Sequence, residues 1–458
     1  MGTGDARPHG DCVDSARVQQ VYLDELSEWL RIPSVSADPE HAADVWRAGE
    51  WACQLVRRAG GDAELVDWAG KPLAVGEIRA SSGPRTRPTI LVYGHFDVQP
   101  PAPLELWETP PFEPTVRDGY LYARGVADDK GQLYLLLKAA ELLAAENELP
   151  VNVRVACDGE EETGGHSIVD FLGEDERGAD AAVIFDSLML RRDLPAFNVA
   201  TRGLAYFHVS VRSGARDLHS GLYGGAALNA THALMRILSA VLPADGRLPE
   251  PLRAGVAAPT GEELEDWSRL RPGGEELADQ GARPADERAA EEFYVRTWAE
   301  PSVDVHGIAG GEPILVKTVL PVVAEANVSI RLAAGQTVAE IAPAFERVVR
   351  EAAPAGADVE IGLLSSAPPG LVHPDAPPVA LALDVFEREF GRRPALVRSG
   401  GTLPIVPALA EKGIATVLTG FALPDSNAHA PNERLLVESV ARGIEVSKSL
   451  YRAFAALG

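Results

Sequence analysis

Cysteine is nearly missing: Cys12, Cys53 and Cys157 are the three in 458 residues, far apart and without a C-x-x-C pair. That spacing excludes a disulfide framework and a structural zinc knuckle, and leaves Cys53 and Cys157 as reduced core filler. Long apolar runs are missing too. No stretch of about 18 or more apolar residues occurs, and the start, Met1-Gly-Thr-Gly-Asp-Ala-Arg7, lacks the apolar core of a secretory leader, so a cytoplasmic protein is expected. Positive charge is scarce, with 42 Lys and Arg against 67 Asp and Glu and a formal net charge of -25. Nucleic acid and anionic membrane both need a basic surface and are not expected partners. There is no G-x-S-x-G elbow, and Asp217, His219 and Ser220 crowd into one segment, which argues against a serine hydrolase.

What is present describes an ordinary globular chain, 46% hydrophobic and 24% charged, long enough for two or three domains. Val21, Leu23, Leu26 and Leu30 at helical spacing predict a helix over 11–30, stopped at Ile32-Pro33-Ser34. A second helix is expected over 41–58, ending at Gly60-Gly61. Strands over 90–93, 151–157 and 181–185 then alternate with helices over 132–145 and 166–172. This rhythm predicts an α/β fold with a mostly parallel sheet and helices on both faces.

From about residue 200 the texture changes. Residues 205–212 and 324–332 alternate like half-exposed strands, helices are expected from about 227 and over 338–352, and 249–286 is a surface stretch rich in Pro, Gly and acid. After about 370 the earlier rhythm resumes, with a helix over 379–390, a strand over 414–419 and a last helix over 436–456. The expected organisation is one α/β domain, 1–199 and 367–458, interrupted by an α+β domain over 200–366.

The chemistry centres on Thr89-Ile-Leu-Val-Tyr-Gly-His-Phe-Asp-Val-Gln-Pro100. The apolar strand breaks at Gly94 and delivers His95 and Asp97 two residues apart, on one face. If His95 binds a metal, Asp97 is placed to hold its other ring nitrogen. Acidic or imidazole groups also follow three further strands: Glu160-Glu161-Glu162, Asp186 and His429. Ligands of open α/β sheets sit beyond the carboxyl ends of strands, so these positions should converge. Each piece has a plainer explanation: the triplet as a solvated charge run, Asp128-Asp129 as a cap for the helix near Gln132, Asp186 as a turn. Jointly they would bury several carboxylates at one edge, which is very costly without a cation. Mixed imidazole and carboxylate donors suit zinc, with manganese or cobalt also compatible.

The stretches His95-Phe-Asp-Val98, Arg124-Gly-Val-Ala-Asp-Asp-Lys-Gly131, Glu161-Glu-Thr-Gly164, Asp217-Leu-His-Ser-Gly221 and Asn427-Ala-His-Ala-Pro-Asn-Glu433 resemble the motif set of the co-catalytic di-zinc metallopeptidases. That family includes carnosine dipeptidase, glutamate carboxypeptidase and succinyl-diaminopimelate desuccinylase, and the likeness runs from Tyr22-Leu-Asp-Glu-Leu26 to the last helix. It implies two divalent metal ions, one held by His95 and Asp186, the other by Glu162 and His429, with Asp128 bridging and a cis Asp128–Asp129 peptide. Glu161, chosen over its neighbours because Thr163-Gly164 follows at the family's spacing, would be the general base on a water between the metals. The same resemblance makes His219 a polariser of the substrate carbonyl, often supplied by a partner subunit, and Arg331 a clamp on the substrate's free carboxylate.

Arg398, in Arg398-Ser-Gly-Gly-Thr402, enters as a further substrate-binding candidate, although the acidic residue that often follows the arginine is missing. The inserted domain would act as lid and homodimer interface. Arg296-Thr-Trp-Ala-Glu-Pro-Ser302, Gly310-Gly311 and Lys317-Thr-Val-Leu-Pro321 look like the dipeptidase branch. Hydrolysis of dipeptides or short peptides with a free carboxyl terminus is the expected activity. The alternative is an N-acyl-amino-acid or succinyl-diamino-acid amidohydrolase with the same metals.

Overall fold

The structure, a computed structural model, describes residues 10–81, 87–312 and 314–458, with side chains from residue 19 onward. The Cys12 side chain and Met1–Arg7 lie outside what is described. The chain divides into two compact units, Met1–Asn198 with Val372–Leu396 and Ala408–Gly458, and Val199–Leu371 with Val397–Pro407.

The first unit is built on a six-stranded sheet. Its spatial order is Asp62–Trp68, Lys71–Ile78, Asn152–Asp158, Thr89–His95, Ala181–Phe185, Thr416–Thr419. The last four run parallel, and the first two form an antiparallel hairpin along one border. The parallel strands read as unbroken apolar runs because they are buried along their length: Ile90, Leu91, Val92, Ala181, Val183 and Ile184 have no measurable exposure. Helix Lys130–Ala145 lies against Thr89–His95 and Ala181–Phe185, Ala42–Arg58 against the hairpin, and Pro377–Phe390 against Thr416–Thr419. The sheet is therefore largely parallel, as the βα rhythm predicts.

Helix Gly10–Leu30 buries Leu23, Leu26, Trp29 and Leu30. Val21, placed on the apolar face by its spacing, is instead 55% exposed, because the buried stripe turns toward Trp29, which stacks on Trp51 at 4.6 Å.

The second unit holds a four-stranded antiparallel sheet in the order Ser302–Ala309, Val323–Leu332, Gly203–Arg212, Asp358–Ala367. Helices Ala230–Val241 and Val338–Ala352 pack against it. Alternation along Gly203–Arg212 sends Ala205, Phe207, Val209 and Val211 into a core shared with Ile237 and Phe345, and leaves Tyr206 and His208 on the polar face. Residues 397–407 join this unit through the Arg398–Glu263 ion pair and the Arg331–Thr402 contact. Among the described residues, no helix is long and apolar enough to cross a membrane.

Candidate metal centre

Four parallel strands lying side by side bring their carboxyl ends to one edge of the first unit, and the polar groups that follow them meet there. Gly94 is what lets strand Thr89–His95 end as it does: a Cβ at that position would lie 2.5 Å from Asp129 Oδ2. That carboxylate oxygen accepts the His95 backbone N–H at 3.2 Å. The His95 side chain is fully buried. Its Nδ1 faces the Asp97 backbone oxygen at 3.1 Å and Asp97 Oδ1 at 3.5 Å, so Nδ1 carries the proton and Nε2 is turned toward Asp128 Oδ1 at 3.0 Å. Asp97 is itself held, with Oδ2 accepting from Ser36 Oγ at 2.6 Å and from the Glu162 N–H at 3.1 Å.

The Asp128 carboxylate lies between two imidazoles, with Oδ2 2.9 Å from His429 Nε2. The same His429 nitrogen is 3.1 Å from Glu162 Oε2. Glu162 is oriented by Gln99, which donates from its side-chain amide at 2.8 Å and from its backbone N–H at 3.2 Å. His95, Asp128 and Glu162 each offer a ligand atom within 4.8 Å of the others. The peptide between Asp128 and Asp129 is cis. His429 sits in a loop where Asn427, His429 and Asn432 have φ of 55, 61 and 61°, a left-handed region that side chains rarely adopt.

The electrostatics of this edge call for positive charge. Hydrogen bonds to Asp128 and Glu162 raise His429 to about 10. Burial works against charge on His95, but Asp128 and Asp97 lift it well above the usual histidine range. Burial would raise Asp128, yet His429 and His95 hold it below the ordinary carboxylate value. Among the described residues Glu161 and Asp186 have no imidazole hydrogen-bonded to them, and they go the other way. Burial pushes Glu161 up to about 8, relieved by His95 and reinforced by Asp186 and Glu162. Burial, with Asp128 next in weight, pushes Asp186 up to about 7.

With every carboxyl ionised and both imidazoles neutral, Asp128, Glu161, Glu162 and Asp186 carry four negative charges, which two divalent cations neutralise. The donor set is thus one that fits bound metal, and protons stand in for it on the imidazoles and carboxyls.

Several residues given no role from the sequence prove central to this geometry. Glu433 is fully buried and takes four hydrogen bonds from residues 124–128, with Arg124 Nη1 at 2.6 Å the shortest. Lys130 Nζ donates to the carbonyls of Ile32 at 2.8 Å and Trp29 at 3.4 Å, tying the Asp128 turn to the end of the first helix. Within the acidic triplet, Glu160 points elsewhere: it accepts from the Ser167 N–H and hydroxyl and pairs with Lys71 at 3.3 Å. A Cβ at Gly165 would fall 2.0 Å from the Glu160 side chain, so this glycine accommodates that arrangement. The run of three acids signals their chemistry, but only the turn separates their directions.

The remaining candidates belong to the second unit. His219 is exposed at the end of the two-residue strand Leu218–His219, its Nδ1 accepting from the Gly221 N–H at 3.1 Å. Arg331 is half-buried on strand Val323–Leu332 and donates to Thr402 Oγ1 at 3.1 Å. Arg398, expected to bind substrate, is 3% exposed, and its guanidinium donates to Glu263 at 2.6 and 3.1 Å and to the carbonyls of Ala257 and Ala258. It pins helix Gly261–Ser268 in place with four of the five guanidinium N–H donors.

A profile of peptidase family M20/M25/M40 matches residues 91–453. Human beta-Ala-His dipeptidase is 28% identical over 440 residues, covering 91% of this chain and 87% of the relative. The cysteinylglycine-S-conjugate dipeptidase of Corynebacterium striatum is 29% identical over 426 residues, covering 89% of this chain and 90% of that one. An M20 family metallo-carboxypeptidase from Sulfolobus solfataricus has a solved structure similar to this one, with a TM-score of 0.80 at 26% identity, covering 95% of this chain and 99% of that one.

Proposed function

The chain belongs to peptidase family M20/M25/M40 and is a metal-dependent peptidase, and we propose that it hydrolyses the amide bond of dipeptides or short peptides with a free carboxyl terminus. The observation that carries the proposal is the Asp128 carboxylate, whose two oxygens face His95 and His429 at 3.0 and 2.9 Å. Two divalent cations, zinc by the character of the donors with manganese or cobalt also compatible, would polarise the scissile carbonyl and bring the pKa of water toward neutrality.

In this proposal His95 and Asp186 would hold one cation and Glu162 and His429 the other, with Asp128 available to both. Asp97 fixes the His95 ring, a task its contacts to Nδ1, Ser36 and the Glu162 N–H suit it for. Glu161, whose carboxylate has no protein hydrogen-bond partner among the described residues, takes the proton of the attacking water and passes it to the leaving amine. Such proton transfer is worth roughly 10² to 10⁴ in rate. His219 stabilises charge on the carbonyl oxygen, and Arg331 clamps the terminal carboxylate with its planar fork of donors. The second unit serves as lid and as the face of a homodimer through which His219 is exchanged. The protein acts in the cytoplasm on small peptides, without nucleic acid or membrane.

The names of the dipeptidase relatives support this substrate class over an N-acyl or succinyl amidohydrolase. A panel of dipeptides compared with N-acetyl and N-succinyl amino acids, alongside metal analysis of the purified protein, tests the choice. Release of free amino acid from dipeptides at the higher kcat/KM is expected. Preference for the acyl compounds would overturn the substrate class, and metal content below one equivalent would overturn the centre.

A further inference from the structure

We propose that Glu433 is a positioning residue that sets the distance between the two metal-binding loops, an inference that rests on the metal centre described above. Glu433 is fully buried, and its two carboxylate oxygens receive four donors. Oε2 accepts Arg124 Nη1 at 2.6 Å and the Gly125 N–H at 2.9 Å, while Oε1 accepts the Ala127 N–H at 2.8 Å and the Asp128 N–H at 3.1 Å. Every donor comes from the five residues that end at Asp128.

Glu433 itself closes the loop that carries His429 four residues earlier. One side chain therefore joins the segment bearing Asp128 to the segment bearing His429, across more than three hundred positions of sequence. The loop it closes needs holding. Three of its non-glycine residues are left-handed, and Asn432 straps it further by accepting the Glu108 N–H at 2.9 Å and donating to the Leu106 carbonyl at 2.8 Å. With the Asp128 N–H fixed by Glu433, the origin of the Asp128 side chain is fixed relative to His429, which is what a carboxylate shared between two cations requires. Partners of this kind, one step behind the ligands, change metal affinity about 10- to 100-fold when removed.

Glutamine at 433 keeps the shape but turns an amide NH₂ toward the donors, so one oxygen's worth of acceptor is lost. The test uses the full chain stripped of metal by a chelator and then titrated with Zn²⁺ against a chromophoric competitor, with thermal unfolding of the metal-free and metal-loaded forms in parallel. Glu433→Gln is expected to weaken Zn²⁺ binding by about 10- to 100-fold and to shrink the rise in Tm that metal produces. A residue that only supports the fold would lower both Tm values together and leave the Zn²⁺ dissociation constant alone.

A dissociation constant within twofold of the parent overturns the inference. If Glu433→Gln does not fold, Arg124→Lys decides: it disturbs one of the four bonds, so binding about 3- to 10-fold weaker supports the inference and unchanged binding overturns it. Failure of the parent chain itself to bind Zn²⁺ would instead overturn the metal centre, so the two failures are distinguishable.

Discussion

Replacing Glu161 with glutamine separates chemistry from metal binding. The carboxylate sits among Asp186, Glu162 and Asp128 and is pushed up to about 8 by burial, so in the metal-free cluster its charge is disfavoured. The substitution leaves untouched the three ligand atoms of His95, Asp128 and Glu162 that lie within 4.8 Å, and His429 beside them. Metal content should stay at the parent level. What disappears is the proton acceptor for the attacking water and the donor for the leaving amine, worth about 10² to 10⁴ in kcat, or about 2.7 to 5.4 kcal/mol of transition-state free energy. Because the group is proposed to act on the reacting water, KM should stay within about threefold of the parent.

The assay is release of free amino acid from a dipeptide at saturating and limiting concentrations, with metal quantified on the same sample. A kcat within fivefold of the parent would refute the role of Glu161. Loss of activity in proportion to loss of metal would show that Glu161 is a ligand instead.

Three further outcomes follow from the same geometry. Glu161, Asp186 and His429 all have folded pKa values raised above their unfolded ones, so between about pH 4 and 10 these groups hold more protons folded than unfolded and the stability they contribute to the metal-free chain falls as pH rises, against a smaller opposite contribution above about pH 7 from Lys130, which burial lowers to about 7. Calorimetry of chelator-treated protein at pH 5, 7 and 9 should show a declining Tm that added metal flattens, and a rising Tm would contradict the assignment. Arg331→Ala should raise KM about 10- to 100-fold for dipeptides with a free carboxylate and scarcely alter it for the carboxyl-terminal amides, as measured by initial rates on matched pairs. Arg398→Ala breaks a buried ion pair and should cost about 3 to 5 kcal/mol in denaturant unfolding. An unchanged midpoint with a raised KM would return Arg398 to the substrate.

The fold was legible where hydrophobic period and burial agree. Strand 181–185 reads as Ala-Ala-Val-Ile-Phe and is buried at every position, and residues 205–212 alternate in sequence as they do in exposure. Hairpin Asp62–Ile78 escaped notice because its outer strand is half-exposed and mixes acid with apolar residues, as border strands do. The meeting of His95, Asp128, Glu162 and His429 could be anticipated because parallel strands expose their carboxyl ends on one side. Glu433 could not be given a task on that basis. Three of its four donors are backbone N–H groups about 305 positions away, and accepting a backbone hydrogen bond leaves no trace in residue type. The ion pair of Arg398 was hidden for a similar reason: its acceptor, Glu263, is 135 positions distant.

Among the described residues, strand Thr416–Thr419 pairs with Ala181–Phe185 alone and lies at the border of the sheet. It leads into the loop that delivers His429, so the donor set is completed by a segment more than three hundred positions after Asp128. A product of translation that stops before residue 429 presents His95, Asp128, Glu162 and Asp186 with a single imidazole among three carboxylates. Such a fragment keeps the imidazole on one side of Asp128 and lacks the one on the other, so the pairing of two imidazoles across a single carboxylate cannot form until both stretches of chain are present.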